Sequence, residues 1–239
     1  MAEPMRWCIT SMQVLGFRGR SAARRVVDMK PTALVLLGHP DPRSLNAELA
    51  RAYVEAWRAG GEEARLVDLT RLAFDPVLRG GHTEPQPLEP DLLELRAAFE
   101  SASHVVWVFP IYWGAPPAIV RGLIDRLFLP GWAFRYRGHA LPEGLLRGRS
   151  SRVITTMDSP GWWYALAHRW SLHAVMGTAT LSFSGFAPVD FTLLHGVREM
   201  DAAARSRWVE RVARLSTTDA RRVRKLVPGR ASPELVTGL

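Results

Sequence analysis

Thr32 is followed by five apolar residues, Ala33-Leu-Val-Leu-Leu37, and the run ends abruptly at Gly38. Such a run has neither the one-sided period of a surface helix nor the alternation of a half-exposed strand. It reads as a strand covered on both faces, which in turn requires layers of helix on either side of a sheet. A second run of this kind occupies 104–109, and less uniform ones occupy 152–156 and 188–194. No chain with several such strands folds as a helical bundle or as a sheet with one wet face.

The segments between the runs supply the helices. Residues 44–59 place Leu45, Leu49, Ala52 and Ala56 on one face, and Gly60-Gly61 stops the pattern. Residues 64–69 read as a second strand. A connection over 72–90 follows, carrying Pro76, Pro85, Pro87, Pro90 and a Gly80-Gly81 pair. Helices are expected over 91–101, with Leu92, Leu95, Ala98 and Phe99 as the apolar stripe, and over 118–128, 162–178 and 201–215. The stretch 129–148 is irregular. Strands alternating with helices imply right-handed crossovers and a parallel sheet. The expected fold is α/β: a flavodoxin-like, doubly wound sheet of five parallel strands in the order 2-1-3-4-5, with helices on both faces.

The net charge of +8 suggests a nucleic-acid partner until it is mapped along the chain. Residues 1–30 carry a net +4 and residues 211–239 a net +5, while 31–210 sum to −1. The body is neutral and the ends are basic, which argues against a nucleic-acid face on the domain. The expected organisation is a poorly ordered basic extension over 1–28, the domain over 29–216, and a loose basic tail over 217–239. The longest apolar runs, 33–37 and 105–113, are far shorter than a bilayer-spanning helix. The single cysteine, Cys8, excludes an internal disulfide framework and a multi-cysteine metal site, and points to a reducing, cytoplasmic setting. His168 and His173 are five residues apart, off the i, i+4 spacing of a helical zinc pair, so no metal is expected.

In a sheet of this kind ligands bind outside the carboxyl ends of the strands. Three exits stand out. The first loop, Gly38-His-Pro-Asp-Pro-Arg-Ser-Leu-Asn46, feeds a helix N-terminus, where backbone amides favour an anion such as a phosphate. It also reads as an ordinary helix start with Asp41 as N-cap and Pro42 at the first helical position. It matches neither the Gly-x-Gly-x-x-Gly dinucleotide fingerprint nor the P-loop. The second loop, Pro110-Ile-Tyr-Trp-Gly-Ala-Pro-Pro117, can wall a planar aromatic ligand or plug the sheet end. The third, Thr155-Thr-Met-Asp-Ser-Pro-Gly-Trp-Trp-Tyr164, joins Trp113, Phe134 and Tyr136 in an aromatic concentration that suits a pocket, a dimer interface, or both.

At these loops the chain resembles the NAD(P)H:quinone oxidoreductases of flavodoxin-like fold, a family that includes ancillary flavoproteins of potassium-efflux systems. The likeness runs from about Thr32 to Leu215. It rests on 39–46, on Phe109-Pro-Ile-Tyr-Trp-Gly-Ala-Pro-Pro-Ala-Ile-Val-Arg-Gly-Leu-Ile-Asp-Arg126, on Pro130-Gly-Trp-Ala-Phe-Arg-Tyr136 and on Thr155-Thr156. The resemblance implies a flavin, FAD or FMN, with NAD(P)H as co-substrate and a small quinone-like acceptor reduced by ping-pong hydride transfer. It also implies a homodimer. It assigns His39, Arg43, Ser44, Leu45 and Asn46 to the phosphate and ribityl side. Pro110, Ile111, Tyr112, Trp113 and Gly114 fall to the ring edge, and Thr155, Thr156, Met157 and Asp158 to the pyrimidine end. Tyr164 and His168 take the catalytic positions. The chain departs from the family at Met157-Asp158, where well-known members carry Gly-Gly. Two other readings remain at this point. One is a flavoprotein subunit docked on a membrane transporter, its basic ends serving partner or membrane contact. The other is a flavin-free domain closed by Trp162 and Trp163.

Overall fold

The computed structural model describes residues 31–81, 84–136 and 142–226. The extension expected over 1–28 lies outside the described residues, as does everything beyond Leu226. Along the chain come β1 (Thr32–Leu37), α1 (Leu45–Ala59), β2 (Glu63–Asp68), α2 (Pro90–Ser101), β3 (His104–Pro110) and α3 (Ala118–Leu127). There follow β4 (Phe134–Arg135), β5 (Glu143–Gly144), β6 (Ser150–Thr156), α4 (Gly161–Ala167), β7 (Val189–Leu194) and α5 (Ala202–Leu226). Five strands form one parallel sheet in the order β2-β1-β3-β6-β7, the expected order once the antiparallel β4-β5 ribbon inside the irregular stretch is set aside.

The apolar runs are continuous because the sheet has two covered faces. Leu34 and Leu36 of β1, with Val105, Trp107 and Phe109 of β3, pack beneath α2 and α3. Ala33, Val35, Leu37, Val106 and Val108 pack on the opposite side against α1 and α5. The period-2 geometry of a strand sends alternate residues to opposite faces, so both sets must be apolar. The proline-rich connection is pinned by Arg126 of α3, whose buried guanidinium donates to Pro87 O at 2.8 Å and Glu89 Oε2 at 2.9 Å.

Three expectations are corrected. First, α1 is capped by Ser44, whose hydroxyl accepts from Ala47 N at 3.3 Å. Asp41, expected at that position, instead accepts from Arg43 N at 2.9 Å. Second, the helix expected over 162–178 breaks. Arg169 and Trp170 adopt left-handed φ values of 45° and 55°, and a π-helical segment runs from His173 to Ser182. Third, the segment 217–226 is not loose tail. α5 continues to Leu226 because Val212, Ser216, Asp219, Ala220 and Val223 form one buried stripe against α1. Two polar residues within that stripe mask its period in the sequence.

Those polar residues belong to a buried network near the amino ends of the strands. Asp219 accepts from Tyr53 Oη at 2.7 Å and from Arg152 Nη2 at 2.8 Å. Arg152 also donates to Thr192 Oγ1, and Asp190 ties Arg152 to Arg222 of α5. Burial pushes Asp219 upward, but the Arg152 hydrogen bonds and the charges around it outweigh burial and hold its carboxyl below the ordinary value. His104 lies between Tyr53 Oη (2.9 Å) and Ser150 Oγ (2.7 Å), with its ring parallel to Trp57 at 5.4 Å. Burial lowers its pKa from 6.5 to about 4, against the pull of Asp219. The folded state thus holds neutral His104, while the unfolded chain protonates it first as the pH falls. Its contribution to stability is intact above pH 6.5 and is lost progressively down to about 4. Thermal unfolding followed from pH 7 to 4 is expected to show a falling midpoint, and His104→Gln is expected to flatten that slope. An unchanged slope in the variant places the proton uptake on another group.

Candidate functional site

The carboxyl ends of β1, β3, β6 and β7 converge on one edge. Close approach begins at Gly38, where a Cβ would stand 2.3 Å from Val120 Cγ2 of α3. In the loop that follows, His39 Nδ1 accepts from Asp41 N at 3.0 Å, and the Arg43 side chain is exposed. The Arg43 backbone N–H holds the Asp41 carboxyl below its ordinary range. Because Ser44 and not Asp41 caps α1, the Asp41 carboxylate does not compete with an incoming anion for the helix amides. Asn46 is buried and donates from Nδ2 to Thr156 Oγ1 at 2.9 Å, linking this loop to the end of β6. Its Oδ1, and the Oγ1 of buried Thr155, have no hydrogen-bond partner among the described residues. Buried polar atoms are rarely left this way.

The loop after β3 makes a tight turn. Tyr112 and Ala115 exchange backbone hydrogen bonds, both 3.0 Å, around Trp113 (φ 52°) and Gly114 (φ 76°). Two consecutive positive φ values mark a type I′ turn, which turns the Trp113 side chain fully into solvent. A Cβ on Gly114 would lie 2.6 Å from His168 Nδ1, so glycine alone lets the turn lie against that imidazole. Ser171 Oγ donates to Gly114 O at 2.8 Å and secures the contact.

Met157 and Asp158 replace the expected glycines without closing the edge. The Met157 side chain joins the core, and its backbone bonds to Leu194 O and Val197 N. The Asp158 carboxylate accepts from Arg198 N at 3.0 Å. Tyr164 is buried in α4. Its hydroxyl accepts from Leu172 N at 3.1 Å, and its ring stacks on His168 at 5.9 Å. Burial raises the Tyr164 phenol above its ordinary value, so at neutral pH it keeps its proton and remains a donor.

These loops enclose a cavity of about 330 Å³, within the size range of small-molecule sites. Of the residues singled out in the sequence, Pro110, Ile111, Tyr112, Trp113, Gly114, Thr156, Met157, Asp158, Tyr164 and His168 border it. His39, Arg43, Ser44, Leu45, Asn46 and Thr155 do not; Asn46 reaches the wall only through Thr156. Sequence reasoning missed the exit of β7. Val197 lines the cavity, and His195 packs 6.2 Å from the Tyr164 ring with its Nδ1 buried and unpartnered among the described residues. The position argument that selected three exits applies equally to this fourth one. Among the described residues no group of three or more His, Cys, Asp or Glu is placed to hold a metal ion.

NAD(P)H dehydrogenase [quinone] 1 of Cavia porcellus is 26% identical over 192 residues, which is 69% of this chain and 68% of that protein. The solved NAD(P)H:quinone oxidoreductase from Methanothermobacter marburgensis superposes with a TM-score of 0.68 at 21% identity, covering 79% of this chain and 98% of that one. An FMN-dependent NADH-azoreductase from Bacillus anthracis, solved in complex with FMN, superposes with a TM-score of 0.59 at 17% identity, covering 81% and 99%. The Flavodoxin_2 family, described as flavodoxin-like fold, matches residues 31–215. That match takes in all five sheet strands and every loop that walls the cavity, and the chain therefore belongs to this flavodoxin-like family, alongside the quinone oxidoreductases it resembles.

Proposed function

We propose that the protein is a flavin-dependent NAD(P)H oxidoreductase that reduces quinones or similar small acceptors. The observation that carries this is the cavity itself. One wall is a rigid, Pro- and Gly-shaped backbone, Pro110–Gly114, and its floor is a buried, protonated phenol beside an imidazole. The names of the quinone-reducing relatives and the FMN-bound structural neighbour support the reading. The residues present fit a flavin. The wall suits the edge of a flat ring, the unpartnered Asn46 Oδ1 and Thr155 Oγ1 are spare polar atoms behind it, and the start of α1 with His39, Arg43 and Ser44 suits its phosphate.

A bound flavin supplies acceptance of hydride from the nicotinamide and its donation to the quinone. The chain's own residues bind, orient and stabilise. Tyr164 donates its phenolic proton in a hydrogen bond to oxyanion charge that develops in the cavity, and Leu172 N holds the phenol in place. Gly114 and His168 keep the wall against the floor. In this reading NAD(P)H leaves before the acceptor enters the same cavity, and the kinetics are ping-pong. The exposed rings of Tyr112, Trp113, Trp162, Trp163 and Trp170 beside the mouth form the face of a homodimer, the apolar kind of surface that a partner covers. No helix among the described residues is long and apolar enough to cross a membrane.

Protein purified without added cofactor is expected to be yellow, with chromatography of the released flavin separating FMN from FAD and parallel-line kinetics with NAD(P)H and a quinone. A protein that stays colourless after incubation with both flavins overturns the proposal.

A further inference from the structure

The continuation of α5 to Leu226 organises the C-terminal cations. Arg207, Arg211, Arg214, Arg221 and Lys225 fall in steps of four, three, seven and four residues, a spacing that keeps them on one helix face. All five are exposed, and the face they share is opposite the buried stripe of Val212, Ser216, Asp219, Ala220 and Val223. At 1.5 Å per residue the line is roughly 27 Å long. Only Thr218 interrupts it. Glu210 pairs with Arg214 at 3.6 Å, and Arg211 lies over the Trp208 ring at 4.7 Å. Arg207, Arg221 and Lys225 have no ion-pair partner among the described residues. The sequence puts Arg207, Arg211 and Arg214 on a helix ending near 215 and Arg221 and Lys225 in a loose tail, whereas the fold carries all five on one continuous helix.

We infer that this face of α5 docks the protein on an anionic phospholipid surface. The row is complementary to a plane of headgroup phosphates. It stands on the convex exterior of a helix and not in a groove that would cradle a duplex. The face offers no free aromatic ring to stack on a base, because Trp208 is already covered by Arg211. At the end of the row exposed Leu226 follows Lys225, an apolar side chain on the flank of the same turn. The inference is joined to the proposed function by its substrate class, since apolar quinones partition into bilayers, but its test does not depend on turnover.

The full chain is sedimented with vesicles of phosphatidylcholine and phosphatidylglycerol in equal parts, and separately with phosphatidylcholine alone. The parent is expected to pellet with the anionic vesicles only and to be released by added salt. Arg207→Gln/Arg214→Gln/Arg221→Gln is expected to weaken that partition by roughly tenfold or more. The same variant is expected to keep its melting temperature and its rate with a water-soluble quinone, because none of the three residues borders the cavity. A parent that stays in the supernatant with anionic vesicles overturns the inference. So does a triple variant that pellets like the parent, which would assign the binding to other cations, or mixed-sequence duplex DNA that strips the parent from the vesicles at equal phosphate. Loss of quinone reduction in the parent would overturn the proposed function and leave the vesicle result standing.

Discussion

Asp219→Ala is expected to lower the free energy of unfolding by about 3–5 kcal/mol, the usual cost of removing one partner from a buried ion pair. For a domain of this size that corresponds to a fall in melting temperature of roughly 10 °C. The reason is local. Asp219 is 1% exposed and is the acceptor for both Tyr53 Oη and the Arg152 guanidinium. Without it, Arg152 retains only Thr192 Oγ1 and a longer contact of 3.5 Å with Asp190, and buried Tyr53 keeps only His104. Asp219→Asn keeps the shape and an acceptor for Tyr53 but removes the charge, so it is expected to fall between the two. Urea unfolding monitored by the tryptophans measures all three proteins. If the alanine variant loses less than about 1 kcal/mol, water or Asp190 satisfies Arg152 and the clamp of α5 onto the sheet is purely apolar.

Gly114→Ala tests the wall of the cavity. The residue has φ of 76°, a region that costs an L-residue about 1–2 kcal/mol, and its new Cβ would meet His168 Nδ1 at 2.6 Å. The turn or the imidazole must then move, and the Ser171–Gly114 hydrogen bond moves with it. Flavin affinity is expected to drop at least about tenfold, a change of roughly 1.4 kcal/mol, with little change in the fold. Gly148→Ala is the control. Its φ of 79° carries the same backbone strain, but nothing lies within 4 Å of its Cβ and it is not on the cavity wall. Fluorescence titration with FMN and FAD separates the two effects. Equal losses in both variants, or none in either, would remove the Gly114–His168 contact from the binding wall.

Much of the fold was legible because a strand covered on both faces leaves a mark that a linear reading detects. The runs at 32–37 and 104–109 are apolar at every position because alternate residues enter different cores. Crossover handedness then leaves few strand orders, and the observed one is among them. The exits of β3 and β6, which border the cavity, were legible for a similar reason, since such a sheet offers its carboxyl edge to ligands, whereas the β1 loop lies outside the cavity.

Other features depend on contacts between residues distant in sequence. Met157 and Asp158 are compatible with an open edge because the 194–198 segment bonds them: Leu194 O accepts from Met157 N, and Val197 N and Arg198 N donate to Met157 O and the Asp158 carboxylate. The end of α5 was hidden because Asp219 and Ser216 are polar and yet buried. Their partners, Arg152 and Tyr53, come from β6 and α1, more than sixty residues away. His195 stands beside Tyr164 for the same reason. The sequence by itself determined the layers, the sheet order and the edge that carries the candidate cavity, because these follow from periodicity and chain direction. Tertiary structure decided which polar groups are buried, which cation row is rigid and which side chains share the cavity, because each of these depends on a partner that local sequence does not contain.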